Sequence, residues 1–154
     1  MASEIERAFL VEDLPRDLVL GPGEQLRQGY LAEEAGTQVR LRITGTAATL
    51  TIKAGGGLVR TEVELPVPPD EAEALWELTA GRRIDKVRHR VDLGGVTAEV
   101  DVYAGELDGL VRAEVEFPSV AAAQPFTPPS WFGTEVTDDP RWSNGSLARH
   151  GRPR

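Results

Sequence analysis

The sequence predicts a mostly β domain of the α+β class, in which about eight strands form an antiparallel sheet or barrel with a few flanking helices. Apolar and charged side chains alternate with a period of two along much of the chain, as they do in strands that bury one face. Hairpin-sized turns separate these segments, and the 16 glycines and 11 prolines suit such turns. The 154 residues fit one domain, which we assign to residues 1–148, with residues 149–154 as a tail.

The first predicted strand, residues 4–11, places Glu4, Glu6 and Ala8 on one face and Ile5 and Phe9 on the other, because side chains alternate along a strand. Two neighbouring carboxylates repel each other unless cations, water or a metal relieve them. The other strands are predicted at residues 25–31, 37–44, 48–54, 58–65, 84–92, 96–103 and 110–117.

One long helix is predicted between the fifth and sixth strands, at residues 70–80. Asp70 suits its first turn, an apolar stripe runs through Trp76, and Gly81 ends it. We expect this stripe to cover the outer aliphatic face of the sheet. Shorter helices are predicted at residues 119–124 and near Asn144. The glycines at 55–57 are interpreted as a hairpin turn, since the Lys-Ser/Thr of a phosphate-binding loop does not follow them.

Composition narrows the function. The chain has no cysteine and only two histidines, His89 and His150, so a metal would be held by carboxylate oxygens, which favours magnesium, manganese or calcium. The net charge of −8 argues against nucleic-acid binding. No run of about 18 apolar residues and no signal-peptide core is present, so we expect a cytoplasmic protein with no membrane partner.

The polar face of the predicted strands carries as many bases as acids. The acids are Glu4, Glu6, Glu62, Glu64, Asp101, Glu114 and Glu116. The bases are Arg40, Arg42, Lys53, Arg60, Lys86, Arg88 and Arg90. One interpretation is an ordinary solvated sheet face. The other follows from the like-signed pairs at two-residue spacing: carboxylates hold hard divalent cations and basic groups hold phosphate oxygens, so the face would bind a metal–polyphosphate complex.

A set of motifs resembles a known family. These are, in order, Glu4-Ile5-Glu6-Arg7, Gln28-Gly29-Tyr30-Leu31, Val39-Arg40-Leu41-Arg42, Leu50-Thr51-Ile52-Lys53, Arg60-Thr61-Glu62-Val63-Glu64, Lys86-Val87-Arg88, Asp101-Val102-Tyr103, Glu114-Val115-Glu116-Phe117 and Trp131-Phe132-Gly133-Thr134-Glu135-Val136-Thr137. Together they resemble the CYTH domain of the triphosphate tunnel metalloenzymes, and most of all its small bacterial inorganic triphosphatases. The resemblance implies an eight-stranded antiparallel β-barrel tunnel with charged walls.

The resemblance also implies roles for the charged residues. The metal ligands, for Mg²⁺ or Mn²⁺, would be Glu4, Glu6, Glu62, Glu64, Asp101, Glu114 and Glu116. The phosphates would be held by Arg40, Arg42, Lys53, Lys86 and Arg88. Lys86 and Arg88 would also act in catalysis, together with Tyr30. Arg60 and Arg90 share the face but would only balance charge.

Ala8 departs from the family signature Glu-x-Glu-x-Lys, whose lysine lies against the triphosphate. Loss of one charge-assisted contact of this kind costs roughly 10²- to 10³-fold in rate. Tyr30, which matches the tyrosine found near that lysine, is therefore interpreted either as a catalytic partner or as part of the core.

The resemblance implies metal-dependent hydrolysis of inorganic triphosphate, or of a short polyphosphate, to pyrophosphate and phosphate. The alternatives are a non-catalytic binder of such anions and an enzyme acting on an organic triphosphate, namely a thiamine triphosphatase or an adenylyl cyclase. The expected partner is a small-molecule triphosphate, and a homodimer is left open.

Four further residues are predicted to lie outside the site. Arg7 points away from the charged face, and we expect it to form a salt bridge on the outside of the sheet. His89 is out of phase with Lys86 and Arg88, so it lies on the opposite face. Glu135 and Asp138 are interpreted as turn and cap residues.

Overall fold

The computed structural model describes residues 3–154, and it consists of eight strands with three helices. Met1 and Ala2 of the predicted domain lie outside the described residues. The strands are β1 (Ser3–Leu10), β2 (Glu24–Glu34), β3 (Thr37–Thr44), β4 (Ala47–Ala54), β5 (Val59–Val67), β6 (Arg83–Asp92), β7 (Thr97–Tyr103) and β8 (Val111–Glu116). The helices are α1 (Pro69–Glu77), α2 (Val120–Ala123) and α3 (Asn144–His150). Two 3₁₀ turns lie at Gly105–Leu107 and Pro140–Trp142.

The strands form a closed barrel in the order β1-β5-β4-β3-β2-β6-β7-β8. Every neighbouring pair is antiparallel, including the β1–β8 pair that closes the ring. The predicted fold class, a mostly β chain with an eight-stranded antiparallel barrel, is confirmed. Closure gives every strand two hydrogen-bonded neighbours and removes the exposed edges of an open sheet.

The larger apolar core lies outside the barrel wall rather than within it. It includes Phe9 of β1, Val100 of β7 and Ala113 of β8. Val100 and Ala113 alternate along their strands with inward-pointing charged residues. The C-terminal segment covers this face, and the Phe132 ring lies 4.9 Å from that of Phe9, centroid to centroid. With the apolar faces buried outside, the polar faces turn into the lumen.

A second apolar cluster fills one end of the lumen. Tyr30, Ile84 and Tyr103 come from the interior faces of three strands and pack against Leu147 of α3. A serine, Ser143, caps α3 by accepting a hydrogen bond from the Ser146 N–H, one residue before the predicted start at Asn144. The helix continues through Arg149 and His150, the first two residues of the predicted tail.

The long predicted helix is shorter than expected. Helix α1 ends at Glu77 rather than at residue 80, with Leu78 as its C-cap. It packs over β3 and β4, so it covers only part of the outer face. On β5 the outward side chains of Val59, Val63 and Leu65 remain between 42% and 49% exposed.

Within residues 3–154, none of the helices has the length and apolar character needed to span a bilayer.

Candidate functional site

The barrel lumen contains a polar cavity of about 210 Å³, hereafter the inner cavity. Six of the predicted acids line it: Glu4, Glu6, Glu62, Glu64, Glu114 and Glu116. Six of the predicted bases also line it: Arg40, Arg42, Lys53, Arg60, Arg88 and Arg90. The period of two along the strands therefore correctly placed most of the predicted site residues on one face, which the barrel encloses. The interpretation as a solvated outer sheet face is wrong, because this face is enclosed by the closed barrel.

Lys53 links two of the carboxylates. Its Nζ lies 3.1 Å from Glu4 Oε1 and 3.2 Å from Glu62 Oε2. Burial raises the pKa of Glu4, and the neighbouring Glu62 carboxyl raises it further. Two carboxylates at this spacing require a cation, and Lys53 provides one.

Glu6 lies deeper in the same wall, and its side chain is 9% exposed. Burial, reinforced by the charge of Glu114, raises the pKa of Glu6 to about 8. The closest counter-charge is Arg60, whose Nη2 is 3.9 Å from Glu6 Oε1, which is too long for a hydrogen bond. Among residues 3–154, no basic group lies within hydrogen-bonding distance of Glu6 to stabilise its ionised form.

Two predicted site residues lie behind the cavity wall. Lys86 Nζ is 2.7 Å from Asp101 Oδ2, and neither side chain is exposed to solvent. Arg88 donates to both oxygens of the same carboxylate, at 2.8 and 2.9 Å. Burial lowers the pKa of Lys86 to about 7, against the opposing effect of Asp101. Neither Lys86 nor Asp101 lines the inner cavity, so here Asp101 fixes Arg88 in place and is not open to a metal.

Tyr30 was predicted as a catalytic residue, but it does not reach the cavity wall. It is 1% exposed within the apolar cluster around α3. Its hydroxyl accepts a 3.3 Å hydrogen bond from Gln28 Nε2, and Gln28 Oε1 accepts two from Arg42, at 3.0 and 2.7 Å. Tyr30 therefore supports Arg42 through Gln28, which matches the alternative interpretation of Tyr30 as a core residue.

Arg112 is a lumen residue that the sequence reasoning left out of the charged set. It is 3% exposed, and its Nη1 donates to Glu114 Oε1 at 2.8 Å and to the Tyr103 hydroxyl at 3.1 Å. The Tyr103 hydroxyl in turn donates to Asn144 Oδ1. The signal was present, because Arg112 shares its face with Glu114. Glu99, which also lines the inner cavity, shares its face with Asp101 in the same way.

A second and larger space, hereafter the outer cavity, adjoins the inner one. It has a volume of about 570 Å³, and Ala8 forms part of its wall. Lys53, Arg60 and Arg112 line both cavities. Ala8 is 2% exposed and pairs with Glu114 across β1 and β8, so the signature position faces the lumen even though it has no charge.

The donor groups of the inner cavity suit a hard divalent cation, because they are carboxylate oxygens. Burial and neighbouring carboxyl groups raise the pKa values of Glu4 and Glu6, so a cation bound there would lower the cost of ionising them. In residues 3–154, however, no three carboxylate or imidazole groups converge closely enough to form a ready metal site. Between Glu4 and Glu62, the space within reach of both carboxylates holds the Lys53 ammonium group.

Of the residues predicted to lie outside the site, Arg7, His89 and Glu135 line neither cavity, whereas Asp138 lines the outer one. Arg7 forms a salt bridge with Glu135, with Nη2 at 2.7 Å from Oε1. The His89 Nδ1 lies 3.0 Å from the Gly21 carbonyl oxygen. Glu135, interpreted from the sequence as a turn or cap residue, instead anchors the C-terminal segment to β1 through this ion pair and through a β-bridge to Phe9.

Comparison with known proteins agrees with this geometry. The chain is 46% identical over 149 residues to an inorganic triphosphatase of Nitrosomonas europaea, covering 95% of this chain and 97% of that protein. This chain belongs to the inorganic triphosphatase family. A second inorganic triphosphatase, from Acetivibrio thermocellus, is 37% identical over 153 residues and is matched over 97% of this chain and 96% of its own length.

The solved structures lead to the same assignment. The crystal structure of an inorganic triphosphatase superposes with a TM-score of 0.72 at 42% identity, covering 99% of both chains. No protein-family model matches the sequence. The resemblance to the triphosphate tunnel proteins, drawn from the motifs, is confirmed by these relatives.

Proposed function

We propose that this chain hydrolyses inorganic triphosphate to pyrophosphate and phosphate, using Mg²⁺ or Mn²⁺. The observation that supports this most is the inner cavity, where seven carboxylates and seven basic side chains enclose about 210 Å³. Neither set alone suits the substrate: the bases match a polyanion and the acids match its metal. The two relatives named inorganic triphosphatase match nearly the whole length of this chain.

The basic residues would bind and align the substrate. Arg42 is held by Gln28 and Arg88 by Asp101, so both guanidinium groups are oriented before substrate enters. Groups oriented in advance lower the barrier because they need no reorganisation as charge develops on the phosphates. Lys86, which does not reach the cavity, would act through Asp101 and Arg88.

Glu4, Glu6, Glu62 and Glu114 are the residues that would hold the metal. When bound, the metal would supply charge neutralisation of the phosphate oxygens and a more acidic water. The carboxylates would then be relieved of their mutual repulsion, and Lys53 would be released toward the phosphates. No covalent intermediate with the protein is required.

A second candidate, a non-catalytic triphosphate binder, is favoured by one observation. Ala8 faces the lumen at the signature lysine position with no charge of its own. Lys53, Arg60 and Arg112 border the same space, and these three cations would compensate for the missing lysine in a catalyst.

The homodimer also remains a prediction.

The test is phosphate release from triphosphate, ATP and thiamine triphosphate with Mg²⁺ or Mn²⁺, for the natural chain and for Ala8→Lys. We expect release from triphosphate by the natural chain, raised roughly 10²-fold or less by Ala8→Lys. Glu114→Gln is expected to remove the metal-dependent signal. If triphosphate binds but neither chain releases phosphate from any substrate, the binder is the correct function.

A further inference from the structure

Of the described residues that line the inner cavity, all but Ser143 and Asn144 are charged. These two come from the start of α3 and not from a strand of the barrel. Ser143 is already engaged, because its hydroxyl oxygen accepts a 3.2 Å hydrogen bond from the Ser146 N–H. The polar side chain that α3 offers to the cavity is therefore that of Asn144, the only asparagine in the chain.

Asn144 does not serve the helix to which it belongs. Asparagine favours the cap position and disfavours the helix interior, but the residue that caps α3 is Ser143. Asn144 Oδ1 instead accepts a 2.5 Å hydrogen bond from the Tyr103 hydroxyl. Tyr103 and Leu147, one turn further along α3, belong to the apolar cluster that fills one end of the lumen. Asn144 thus lies where the polar cavity meets that cluster.

Two consecutive hydrogen bonds fix the orientation of the Asn144 amide. Arg112 Nη1 donates to the Tyr103 hydroxyl at 3.1 Å, and a guanidinium group cannot accept a hydrogen bond in return. The single hydroxyl proton of Tyr103 is therefore directed at Asn144 Oδ1. Because the amide oxygen is held by Tyr103, the amide nitrogen lies on the opposite side of the group.

The Asn144 amide nitrogen has two protons, and the described part of the chain gives it no acceptor. Since Asn144 lines the inner cavity, these protons are available to a ligand there. An NH₂ group only donates and cannot ligate a metal, so the complementary group is an acceptor on an anion. Phosphate oxygens bound beside Arg42 and Arg88, which line the same cavity, would supply it.

A neutral donor suits this cavity better than a further cation would. Lys53 binds the carboxylates of Glu4 and Glu62, so its ammonium group must leave them before they can hold a metal. The Asn144 amide has no charge, and its oxygen is occupied by Tyr103. It can therefore contact a phosphate group without competing with the metal for carboxylates.

We propose that Asn144 is a substrate-binding residue, whose side-chain amide donates a hydrogen bond to a non-bridging oxygen of the triphosphate in the inner cavity. This rests on the proposed function, since that function places triphosphate there. Tyr103 is a positioning residue, because its hydroxyl orients the amide. Helix α3 then contributes to the binding site as well as to the closure of the lumen.

Binding of diimidotriphosphate, a non-hydrolysable analogue of triphosphate, tests this contact in the presence of Mg²⁺ without turnover. For Asn144→Ala we expect titration calorimetry to show a roughly tenfold loss of affinity, because a hydrogen bond to a charged acceptor is lost. Asn144→Asp keeps the shape but replaces the donor with a carboxylate oxygen, so its loss should be roughly 10²-fold or more. Affinities for both variants within about twofold of the natural chain would overturn the proposal.

Arg149→Met is the control for a merely structural effect. Arg149 belongs to the same helix, forms an ion pair with Glu33 and lines neither cavity. We expect Arg149→Met to lower the melting temperature while its affinity for diimidotriphosphate stays within about twofold of the natural chain. A loss of affinity equal to that of Asn144→Ala would contradict a direct contact, because both changes would then act by loosening α3.

The single asparagine also allows the contact to be observed in the natural chain. Labelling with ¹⁵N-asparagine gives one side-chain NH₂ group in the NMR spectrum, and Asn144→Asp confirms the assignment by removing it. Saturation with Mg²⁺ and diimidotriphosphate should shift one of the two amide protons downfield and slow its exchange with water. Amide protons that neither shift nor become protected at saturation would overturn the proposal.

Hydrolysis and the Asn144 contact are tested by separate measurements. Absence of phosphate release from triphosphate would end the proposed hydrolysis, but the binding of diimidotriphosphate would still report the contact. Phosphate release by the natural chain, with unchanged Asn144 resonances and no loss of affinity in Asn144→Ala, would end the role of Asn144 alone.

Discussion

Lys53 Nζ lies 3.1 Å from Glu4 Oε1 inside the barrel, so a lysine holds one of the carboxylates that would hold a metal. The same ammonium group is 3.2 Å from Glu62 Oε2. A divalent cation bound by these carboxylates would therefore compete with Lys53 for the same oxygens. Metal binding would release Lys53 for the substrate, which couples the two ligands.

Replacement of Lys53 by methionine should accordingly strengthen the binding of Mn²⁺ and weaken the binding of triphosphate. We expect Lys53→Met to bind Mn²⁺ roughly five- to tenfold more tightly without substrate, because an ion pair worth on the order of 1 kcal/mol no longer has to be broken. Triphosphate binding in the presence of Mn²⁺ should weaken. Calorimetric titration measures the Mn²⁺ affinity and the KM of phosphate release reports triphosphate binding, with Arg27→Met as the control, since Arg27 lines neither cavity. Weaker Mn²⁺ binding by Lys53→Met would show that the two cations do not compete.

Glu6 should make the stability of the metal-free protein dependent on pH. Its pKa of about 8 lies above the ordinary value of 4.5, so the folded state binds a proton that the unfolded state has released. The contribution of Glu6 to the free energy of unfolding is therefore fully present below about pH 4.5, and it is lost as the pH rises to about 8. Glu6→Gln should avoid this loss, raising the melting temperature by an amount that grows from pH 5 to pH 8 in the presence of a chelator.

The same comparison has an internal control. Mn²⁺ should reduce the difference in melting temperature between Glu6→Gln and the natural chain. A bound cation would stabilise the ionised Glu6 carboxylate, which is otherwise unfavourable when buried. Glu106→Gln, a change at an exposed glutamate outside the lumen, should leave melting unaltered at every pH. A gap that does not vary with pH would argue against a raised pKa at Glu6.

Arg112 should be needed for folding as well as for the site. Replacing it with methionine leaves the buried Glu114 carboxylate and the Tyr103 hydroxyl without their donor. Removing one member of a buried ion pair costs about 3 to 5 kcal/mol. Urea unfolding should show this loss for Arg112→Met and less than about 1 kcal/mol for the 59% exposed Arg90→Met. Similar small losses for both variants would mean that Arg112 is not integral to the network.

The Arg7–Glu135 ion pair should stabilise the attachment of the C-terminal segment to β1. The hydrogen bonds from Arg7 lower the pKa of Glu135, so this stabilisation is present above about pH 4.5 and is lost as the pH falls through the lower, folded-state pKa. Glu135→Gln should melt earlier than the natural chain at pH 7, and the difference should disappear at acidic pH. Asp139→Asn, which breaks the ion pair with the 65% exposed Arg141, should have a smaller effect at pH 7; an equal effect would argue against a structural role for Glu135.

Gly29 should tolerate no side chain. A Cβ there would lie 2.4 Å from Thr79 Oγ1 and 2.5 Å from Thr79 Cβ, and Thr79 is fully buried, with its hydroxyl donating to the Trp76 carbonyl. Gly29→Ala should therefore cost about 1 to 3 kcal/mol in urea unfolding. Gly56→Ala is the matched control, because a Cβ at Gly56 meets nothing within 4 Å. Equal stability of the two variants would contradict the close contact.

Strand positions were the most predictable part of this chain. The predicted strand at residues 37–44 coincides with β3, and the alternating pattern placed Glu4 and Glu6 inside correctly. This works because the period of two is a local property of extended backbone. Helix C-termini were less predictable: α1 stops at Glu77 rather than at residue 80, and α3 continues to His150, past the predicted boundary at residue 148. Such ends depend on individual capping contacts.

The depth of each charge could not be predicted in this way. Lys86 and Arg88 have the same spacing and face, yet Arg88 lines the inner cavity while Lys86 is sealed behind it. Tyr30 likewise shares its face with Gln28 but lies in the apolar end of the lumen. Alternation gives the direction of a side chain and carries no information on how far along the barrel it sits.

The sequence by itself determined that the strands have two faces, one aliphatic and one charged, and that the charged face combines acids with bases. Tertiary structure decided that this face is an enclosed lumen, that Lys53 stands between Glu4 and Glu62, and that Ala8 opens onto a second cavity. The physical reason is that alternation is fixed by neighbouring residues. Closure, by contrast, depends on the pairing of β1 with both β5 and β8, strands that lie roughly 55 and 105 residues further along the chain.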